Sequence, residues 1–194
     1  MTKSELRKIY LERQRSLSAD ETAAKSRHIA DRFFESFDLS QVKNLHCFLQ
    51  IAKFNEIDTS LIYEKIWADF PAVRTIAPHA NVETGEMENR LFTAETQFVE
   101  SRWGISEPIG GQIVDADEID LVLVPLLCFD EGGFRVGYGK GFYDKFLAKC
   151  RPDSVKAGLS YFPPVEAING IGDHDIPLDF CVTPEQTYQT KRGR

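Results

Sequence analysis

One glycine-rich segment contains the residue types with the clearest chemical potential. Residues 132–141 have the sequence GGFRVGYGKG. Glycine lets backbone N–H groups approach a bound anion closely and adopts positive φ angles without strain. Arg135 and Lys140 flank the glycines, and cations near a helix N-terminus oppose its dipole unless an anion lies between them. The segment therefore predicts a loop that binds phosphate.

The spacing of this loop excludes the two common nucleotide-binding motifs. The Walker pattern GxxxxGK[ST] fails because Phe134 occupies the first glycine position and Gly141 replaces the Ser/Thr. The dinucleotide pattern GxGxxG fails because the spacing here is GxGxG. A tight connection between a strand and a helix, with no ligand, is the structural alternative.

Two predicted elements flank the loop. The run LVLVPLL at 121–127 is the most hydrophobic stretch and is typical of a central parallel strand. After the loop, apolar residues at 143, 146, 147 and 150 follow helical spacing and predict a helix from near Lys140. Ligands of open α/β sheets bind at the carboxyl ends of the strands, so the loop is expected at such an end.

Two helices are expected before any strand. Thr2 with Glu5, and Ser18 with Glu21, form capping boxes. They predict an amphipathic helix over about the first 16 residues, with Leu6, Ile9, Tyr10 and Leu17 as its apolar side, and a second helix to about Phe37. Lys3 and Arg7 are four residues apart and share one face of the first helix.

The remaining pattern alternates strands and helices. Strands are predicted at 44–51, at 73–80 with a stop near Pro78, and at 87–93, 156–160 and 180–185; helices are predicted after Asp58 and Pro164, and a loop at 104–111. Such alternation implies parallel pairing with right-handed crossovers. The predicted fold is a single α/β domain over residues 1–194: an open, mostly parallel sheet with helices on both faces, three-layered and Rossmann-like.

Composition narrows the functional classes. The 194 residues include 23 basic and 30 acidic ones, a formal net charge of −7, which argues against a large nucleic-acid surface. No apolar run approaches the roughly 18–20 residues of a membrane helix, and the charged start lacks a secretion signal. The four cysteines, Cys47, Cys128, Cys150 and Cys181, form no CxxC pair and are expected to be buried thiols. A soluble cytoplasmic protein is expected.

The segment 129–144, with its RxGxGxGxYD core, and the opening residues 3–7 together resemble the 5-formyltetrahydrofolate cyclo-ligase (5,10-methenyltetrahydrofolate synthetase) family. Segments 55–59, 103–108 and 175–179 follow in the family's order. The resemblance implies a carbon–nitrogen ligase that uses ATP and Mg²⁺ to close 5-formyltetrahydrofolate to 5,10-methenyltetrahydrofolate, releasing ADP and phosphate.

The chemistry implied by this resemblance explains the need for ATP. The formyl group is an amide, so its carbon is a poor electrophile and its oxygen a poor leaving group. Transfer of the γ-phosphoryl group to the formyl oxygen makes that oxygen a good leaving group; N10 then attacks the carbon and phosphate departs. The protein's part in such a scheme is mostly positioning and charge neutralisation.

The resemblance also implies a set of site residues. Its ATP contacts correspond to Lys3, Ser4, Glu5, Leu6, Arg7, Arg135, Val136, Gly137, Tyr138, Gly139, Lys140, Gly141, Phe142 and Tyr143. Its folate contacts correspond to Ile51, Glu56, Tyr138, Gly139, Lys140, Gly141 and Phe142. Arg135 and Lys140 are the implied catalytic cations, expected to be partly exposed, and Asp144 and Asp175 are the implied Mg²⁺ ligands.

Several alternatives stay open. Asp173 and Asp179 compete with Asp175 for the metal, and Trp103 or Phe54 can pack on the folate rings or belong to the core. The same loop would also suit a kinase for another small molecule, or a non-catalytic binder of folate or nucleotide. A monomer is expected, with ATP and the folate as its partners and with no nucleic acid or membrane.

Overall fold

A computed structural model describes residues 1–81, 86–100, 104 and 106–190. The helices are α1 (Lys3–Arg15), α2 (Ala19–Ser36), α3 (Ser60–Asp69) and α4 (Phe142–Leu147). The strands are β1 (Asn44–His46), β2 (Arg74–Asn81), β3 (Glu86–Phe92), β4 (Phe98–Glu100), β5 (Ser106–Pro108), β6 (Leu121–Pro125), β7 (Cys128–Phe129), β8 (Arg135–Val136), β9 (Val155–Leu159), β10 (Phe180–Val182) and β11 (Thr187–Gln189).

The main sheet has seven strands in the order β11-β10-β9-β6-β1-β2-β3. The five inner strands pair in parallel, and β3 and β11 pair antiparallel at the two edges. The apolar run that predicted a central strand is β6, in the middle of the sheet. The mostly parallel sheet is therefore confirmed.

Helices cover both faces of this sheet. Successive side chains of a strand point to opposite faces, so Leu121 and Leu123 pack with α2 and α3, through residues such as Phe33. Val122 and Val124 pack on the other face with residues of α4. Continuous burial on both faces explains why β6 lacks an alternating polar pattern.

The helix predicted after Pro164 is wrong. Residues 164–168 contain no helix in the structure. Instead, the Val165 N–H donates to the Phe129 carbonyl at 2.8 Å, and the Ile168 N–H donates to Asp130 at 3.1 Å. These contacts hold the backbone of the segment against β7 and Asp130, where Val165 forms a bridge to Asp130, and so prevent it from closing into a helix.

Several strand boundaries also differ from the prediction, and the strand predicted at 44–51 ends at His46. β2 continues past Pro78 to Asn81. The Ile76 carbonyl accepts from the Cys47 N–H, so the backbone of Ile76, and that of Pro78 two residues later, faces the β1 side of the sheet. β1 has already ended beside Pro78, so the N–H that proline lacks is not needed for strand pairing. Part of the predicted loop at 104–111 forms β5, and the predicted last strand ends at Val182 and is followed by β11.

The predicted helix starts are confirmed for α1 and α2. Both capping boxes are present, at Thr2 with Glu5 and at Ser18 with Glu21. Ile9, expected on the apolar side of α1, is instead 39% exposed. α4 begins two residues later than predicted, after Gly141. In the described part of the chain, no helix is both long and apolar enough to cross a membrane.

Candidate functional site

A cleft of about 640 Å³ lies at the carboxyl edge of the sheet. Its floor includes Phe48, which follows β1, and Pro125, at the end of β6. The glycine-rich segment 137–144 forms one wall, and residues of α1 and of the 51–56 connection complete it. The predicted position of the loop is therefore observed.

The loop presents backbone donors that the protein itself does not use. Within the described residues, the N–H groups of residues 138–144 donate to no acceptor. Gly139 and Gly141 have φ angles of +89° and +71°, a region in which side chains are strained. Successive unpaired N–H groups of this kind form a concave site for an anion such as phosphate.

Helix α1 braces the loop through Arg7. Its Nε donates to the Gly137 carbonyl at 2.9 Å. A Cβ at Gly139 would lie 3.1 Å from both Cζ and Nε of Arg7. Gly139 therefore meets two requirements at once, a positive φ and close contact with a guanidinium group.

We expect Gly139→Ala to destabilise the fold by about 1–2 kcal/mol, the cost of a side chain in left-handed backbone. Because the loop or the Arg7 side chain must also shift by a few tenths of an ångström, kcat/KM in the reaction proposed below is expected to fall, by up to roughly 10²-fold. Gly110→Ala is the matched control, since Gly110 has a φ of +74° and no atom lies within 4 Å of the position that its new methyl group would take. Equal kcat/KM for the two variants would contradict this role of Gly139.

Positive charge dominates the cleft although the whole chain is negative. Three acidic side chains line it, namely Glu56, Asp144 and Asp175. Six basic side chains line it, namely Lys3, Arg7, Arg15, Lys53, Arg135 and Lys140. An excess of one sign in a concave site raises the local concentration of ligands of the opposite sign, so the cleft favours anions.

Arg135 is held rigidly under the loop. Its Nη2 lies 2.8 Å from Asp144 Oδ1, and its Nη1 donates to the Ile176 carbonyl. Burial lowers the pKa of the guanidinium and the charge of Asp144 opposes that shift. Only 6% of the side chain is exposed, so the expectation of a partly exposed cation is wrong for Arg135.

Lys140 differs from Arg135 in its exposure and in its contacts. The residue is exposed at the rim of the cleft. Among the described residues, it has no hydrogen bond or ion pair. Its ammonium group is therefore available to a ligand, as the sequence predicts.

The two predicted metal ligands both line the cleft. Asp144 uses Oδ1 for Arg135 and for the Ile176 N–H, and Asp175 uses Oδ2 for Lys3 and for the Gly172 N–H. The second oxygen of each carboxylate accepts no hydrogen bond from the described residues. Burial raises the pKa of Asp175, but hydrogen bonds from Lys3 and Gly172 outweigh it and the pKa lies below its ordinary value.

This donor set fits Mg²⁺, which is usually held by one or two carboxylates together with substrate phosphates. No group of three or more His, Cys, Asp or Glu side chains that could hold a metal occurs within the ranges that the structure describes. Of the competing aspartates, Asp173 is exposed outside the cleft lining. Asp179 is buried before β10, where it accepts from the Lys156 N–H at 2.9 Å, at the opposite edge of the sheet.

Glu56 is the buried acid of the cleft, with 4% of its surface exposed. Its Oε2 accepts from the Ile51 N–H at 2.7 Å, and the Tyr138 hydroxyl also interacts with the carboxylate. Burial raises the pKa of Glu56 to about 7, and the contacts with Ile51 and Tyr138 oppose that rise. A carboxylate in this setting is suited to accept N–H groups from a heterocyclic ligand.

An aromatic pair lies beside Glu56. The rings of Phe54 and Tyr138 are stacked, with centroids 5.1 Å apart and an angle of 20°. Phe54 also lines the cleft. Trp103, the other aromatic residue considered for contact with the folate rings, lies outside the described residues.

The structure does not bring every predicted residue to the cleft. Leu6 is 2% exposed and packs in the core with Cys128, Val136 and Ile168. Glu5 serves the capping box of α1, and Ser4, beside it, is exposed. Direct ligand contacts by Ser4, Glu5 and Leu6 stay a prediction, and so does the contact of Val136.

Sequence reasoning missed Gln14. This residue is 3% exposed and its side chain donates to Tyr138 and to the Phe54 carbonyl. The available signal was its position, since it occupies the place in the apolar stripe of α1 between Tyr10 and Leu17. A polar residue inside such a stripe needs a buried partner.

Comparisons with known proteins agree with one another. A model of the 5-formyltetrahydrofolate cyclo-ligase family matches residues 1–184. The chain is 26% identical to 5-formyltetrahydrofolate cyclo-ligase of Mus musculus over 179 residues, which cover 87% of this chain and 86% of that protein. It is 24% identical to the enzyme of the same name from Escherichia coli (strain K12) over 181 residues, which cover 92% and 98%.

A solved structure extends this similarity to the fold. The NMR structure of Aquifex aeolicus 5,10-methenyltetrahydrofolate synthetase superposes with a TM-score of 0.83 at 28% sequence identity. The match covers 100% of this chain and 95% of that chain. The predicted three-layer α/β fold is thereby confirmed.

Proposed function

Because the chain belongs to the 5-formyltetrahydrofolate cyclo-ligase family, we propose that it catalyses the ATP-dependent cyclisation of 5-formyltetrahydrofolate to 5,10-methenyltetrahydrofolate, with release of ADP and phosphate. The observation that carries this proposal is the juxtaposition in one cleft of an unpaired backbone donor loop, a cluster of cations and a buried carboxylate beside an aromatic pair. The donor loop and the cations suit a triphosphate, and the buried carboxylate with the aromatic pair suits a pterin.

The nucleotide half of the proposed site consists of the loop and α1. Amides 138–144 surround the phosphates, and Lys3 and Arg7 neutralise them from one helix face. Lys140, which is exposed and unpaired among the described residues, stabilises the charge on the phosphoryl group in transfer. Arg135 contributes through its ion pair with Asp144, which holds that carboxylate in position.

Magnesium in this site would be held by the unused oxygens of Asp144 and Asp175 together with the phosphates of ATP. When bound, it spreads and neutralises phosphate charge during phosphoryl transfer. The ion pair between Lys3 and Asp175 links the first turn of α1 to the Asp175 carboxylate. The ammonium group of Lys3 and this carboxylate therefore have a fixed relative orientation.

The folate half of the proposed site lies around Glu56. Its carboxylate accepts N–H groups from the amino-pyrimidinone edge of the pterin, and Ile51, Phe54 and the loop stretch 138–142 surround the rings. This placement brings the formyl oxygen towards the loop. The oxygen accepts the phosphoryl group, N10 attacks the activated carbon, and phosphate leaves.

The direct test is a turnover assay. Purified protein with ATP, Mg²⁺ and 5-formyltetrahydrofolate is expected to generate the near-ultraviolet chromophore of the methenyl product, with one ADP per product. No chromophore under any metal condition would exclude the proposal. ADP release that folate does not stimulate would instead indicate a kinase for another small molecule, and binding without turnover would indicate a non-catalytic binder.

We also propose that residues 1–194 act as one domain and as a cytoplasmic monomer, with no nucleic-acid or membrane partner. The residues assigned above to ATP, Mg²⁺ and the folate meet in one cleft of this chain. Sedimentation of the protein at assay concentration tests the monomer, and a dimer that gains activity with concentration would contradict it.

Burial of Glu56 predicts a pH dependence of stability. Its pKa is about 7 in the folded protein against an ordinary 4.5, so the folded state binds the proton more tightly. The stabilising contribution is therefore complete below about pH 4.5 and is lost as pH rises towards 7, at up to about 1.4 kcal/mol per pH unit.

Glu56→Gln removes this titration. Urea unfolding of both proteins between pH 5 and pH 7 is expected to show a free energy of unfolding that falls more steeply with pH for the unchanged protein than for the variant. Parallel curves would contradict the raised pKa of Glu56. At neutral pH the variant is also expected to have a higher KM for the folate, because an amide offers the pterin only one acceptor oxygen.

A further inference from the structure

Gln14 is a buried amide that the proposed mechanism does not use. It is the penultimate residue of α1 and is 3% exposed. Burying an amide is unfavourable unless its donors are satisfied. Both donors of Gln14 are satisfied by residues of the folate half of the cleft, which points to a role beyond packing.

The two hydrogen bonds of Gln14 have a fixed direction. Nε2 donates to the Phe54 carbonyl at 2.8 Å and to the Tyr138 hydroxyl at 3.0 Å. A carbonyl oxygen can only accept, so the NH₂ group of Gln14, rather than its oxygen, must face this side. The Tyr138 oxygen consequently accepts, and its own proton is left for another partner.

Glu56 lines the same cleft as Tyr138, and the two groups interact electrostatically. The Ile51 N–H donates to the Glu56 carboxylate at 2.7 Å. A tyrosine hydroxyl has one proton and is otherwise free to rotate. The donation from Gln14 therefore directs the Tyr138 proton away from Gln14 and leaves it available to another acceptor in the cleft.

A second set of contacts fixes Gln14 itself. Asn55, which has a φ of +52°, donates through Nδ2 to the carbonyls of Gln14, Arg15 and Leu17, at 3.3, 3.2 and 3.1 Å. These bonds cap the C-terminal end of α1 with the connection that carries Glu56. The end of α1, the 51–56 connection and Tyr138 of the glycine loop thus meet at one amide.

We propose that Gln14 is a positioning residue for the folate: by donating to Tyr138 and to the Phe54 carbonyl, it leaves the Tyr138 proton free for the Glu56 side of the cleft and holds the stacked Phe54 and Tyr138 rings in place. This inference rests on the proposed function, because it assigns the Glu56 side of the cleft to the pterin. It predicts that Gln14 acts on folate binding through Tyr138 and not on the nucleotide.

The test is a double-mutant cycle with Gln14→Met, which keeps the length of the side chain and removes its donors, and Tyr138→Phe. Each single variant is expected to raise KM for 5-formyltetrahydrofolate by about tenfold, the usual effect of one lost hydrogen bond to a buried group, with KM for ATP changed less than twofold. In the double variant, Gln14→Met is expected to add less than threefold to the effect of Tyr138→Phe.

Three results would overturn the proposal. They are an unchanged KM for the folate in Gln14→Met, an equal rise in both KM values, and effects that multiply in the double variant, since multiplication means that Gln14 does not act through Tyr138. If Gln14→Met fails to fold, Gln14→Leu makes the same test, because it also lacks the NH₂ donor and adds no charge beside Glu56.

Asn44→Leu is the matched control for lost stability. Asn44 is a buried amide, 5% exposed, and donates to the Glu118 carbonyl at 2.7 Å at the opposite edge of the sheet. The Asn44→Leu substitution is expected to lower the melting temperature without raising KM for the folate. Turnover by the unchanged protein is measured first, so that failure of the proposed function is distinguished from failure of the role assigned to Gln14.

Discussion

Lys140→Ala is expected to lower kcat by about 10²–10³-fold, the usual effect of removing one donor to a charged transition state, and to change the free energy of unfolding by less than about 0.5 kcal/mol. The reason is its setting: Lys140 is exposed at the cleft and has no partner among the described residues. Its removal leaves no buried group unpaired. Steady-state turnover and urea unfolding of the same preparations measure the two effects.

Lys145→Ala provides the control for this prediction. Lys145 is also exposed and lies five residues further along, in α4, but it does not line the cleft. Both stability and kcat are expected to stay close to those of the unchanged protein. A similar loss of kcat in the two variants would mean that general positive charge, and not the position of Lys140, supports turnover.

Arg135→Ala is expected to lose stability and activity together. The change leaves Asp144 without its partner and the Ile176 carbonyl without its donor. Removing one member of a fully buried ion pair usually costs about 3–5 kcal/mol, and water at the Asp144 carboxylate, whose side chain is 31% exposed, offsets part of that cost. Urea unfolding is expected to show a loss of about 2–3 kcal/mol, and kcat is expected to fall by at least as much as in Lys140→Ala.

The comparison for Arg135 is an ion pair of the same N–O distance whose arginine is more exposed. Arg151 lies 2.8 Å from Asp120, and 37% of its side chain is exposed. Because water screens an exposed pair, Arg151→Ala is expected to cost far less stability than Arg135→Ala, with turnover unchanged. Equal losses of stability in the two variants would show that burial does not set the difference.

The sequence was most informative where local chemistry decides the structure. The capping boxes located the starts of α1 and α2, and an uninterrupted apolar run identified β6, because both signals act over a few neighbouring residues. The family match confirms the resemblance drawn from the glycine loop. Lys3 and Arg7, which their spacing placed on one face of α1, both line the cleft, as the family resemblance implied.

The predictions failed where distant contacts decide. The segment 164–168 has a helix-like pattern, but its amides bind β7 and Asp130 instead. The burial of Arg135 depends on Asp144 and Ile176, and the role of Gln14 depends on Phe54 and Tyr138. Spacing along the chain contains no information about these partners, since they lie 40 or more residues away for Gln14.

The contacts of α1 have a consequence for the order in which the protein assembles. Asn169 pairs with the first residues of the chain, since Thr2 bridges to it and its N–H donates to the Met1 carbonyl at 2.8 Å; Lys3 binds Asp175, and Arg7 binds Gly137. During synthesis, α1 emerges well before these partners, since Gly137 and Asp175 lie 130 and 172 residues beyond Arg7 and Lys3. The helix therefore stays solvated until its partners have left the ribosome, and the cleft closes as a late, long-range step of folding.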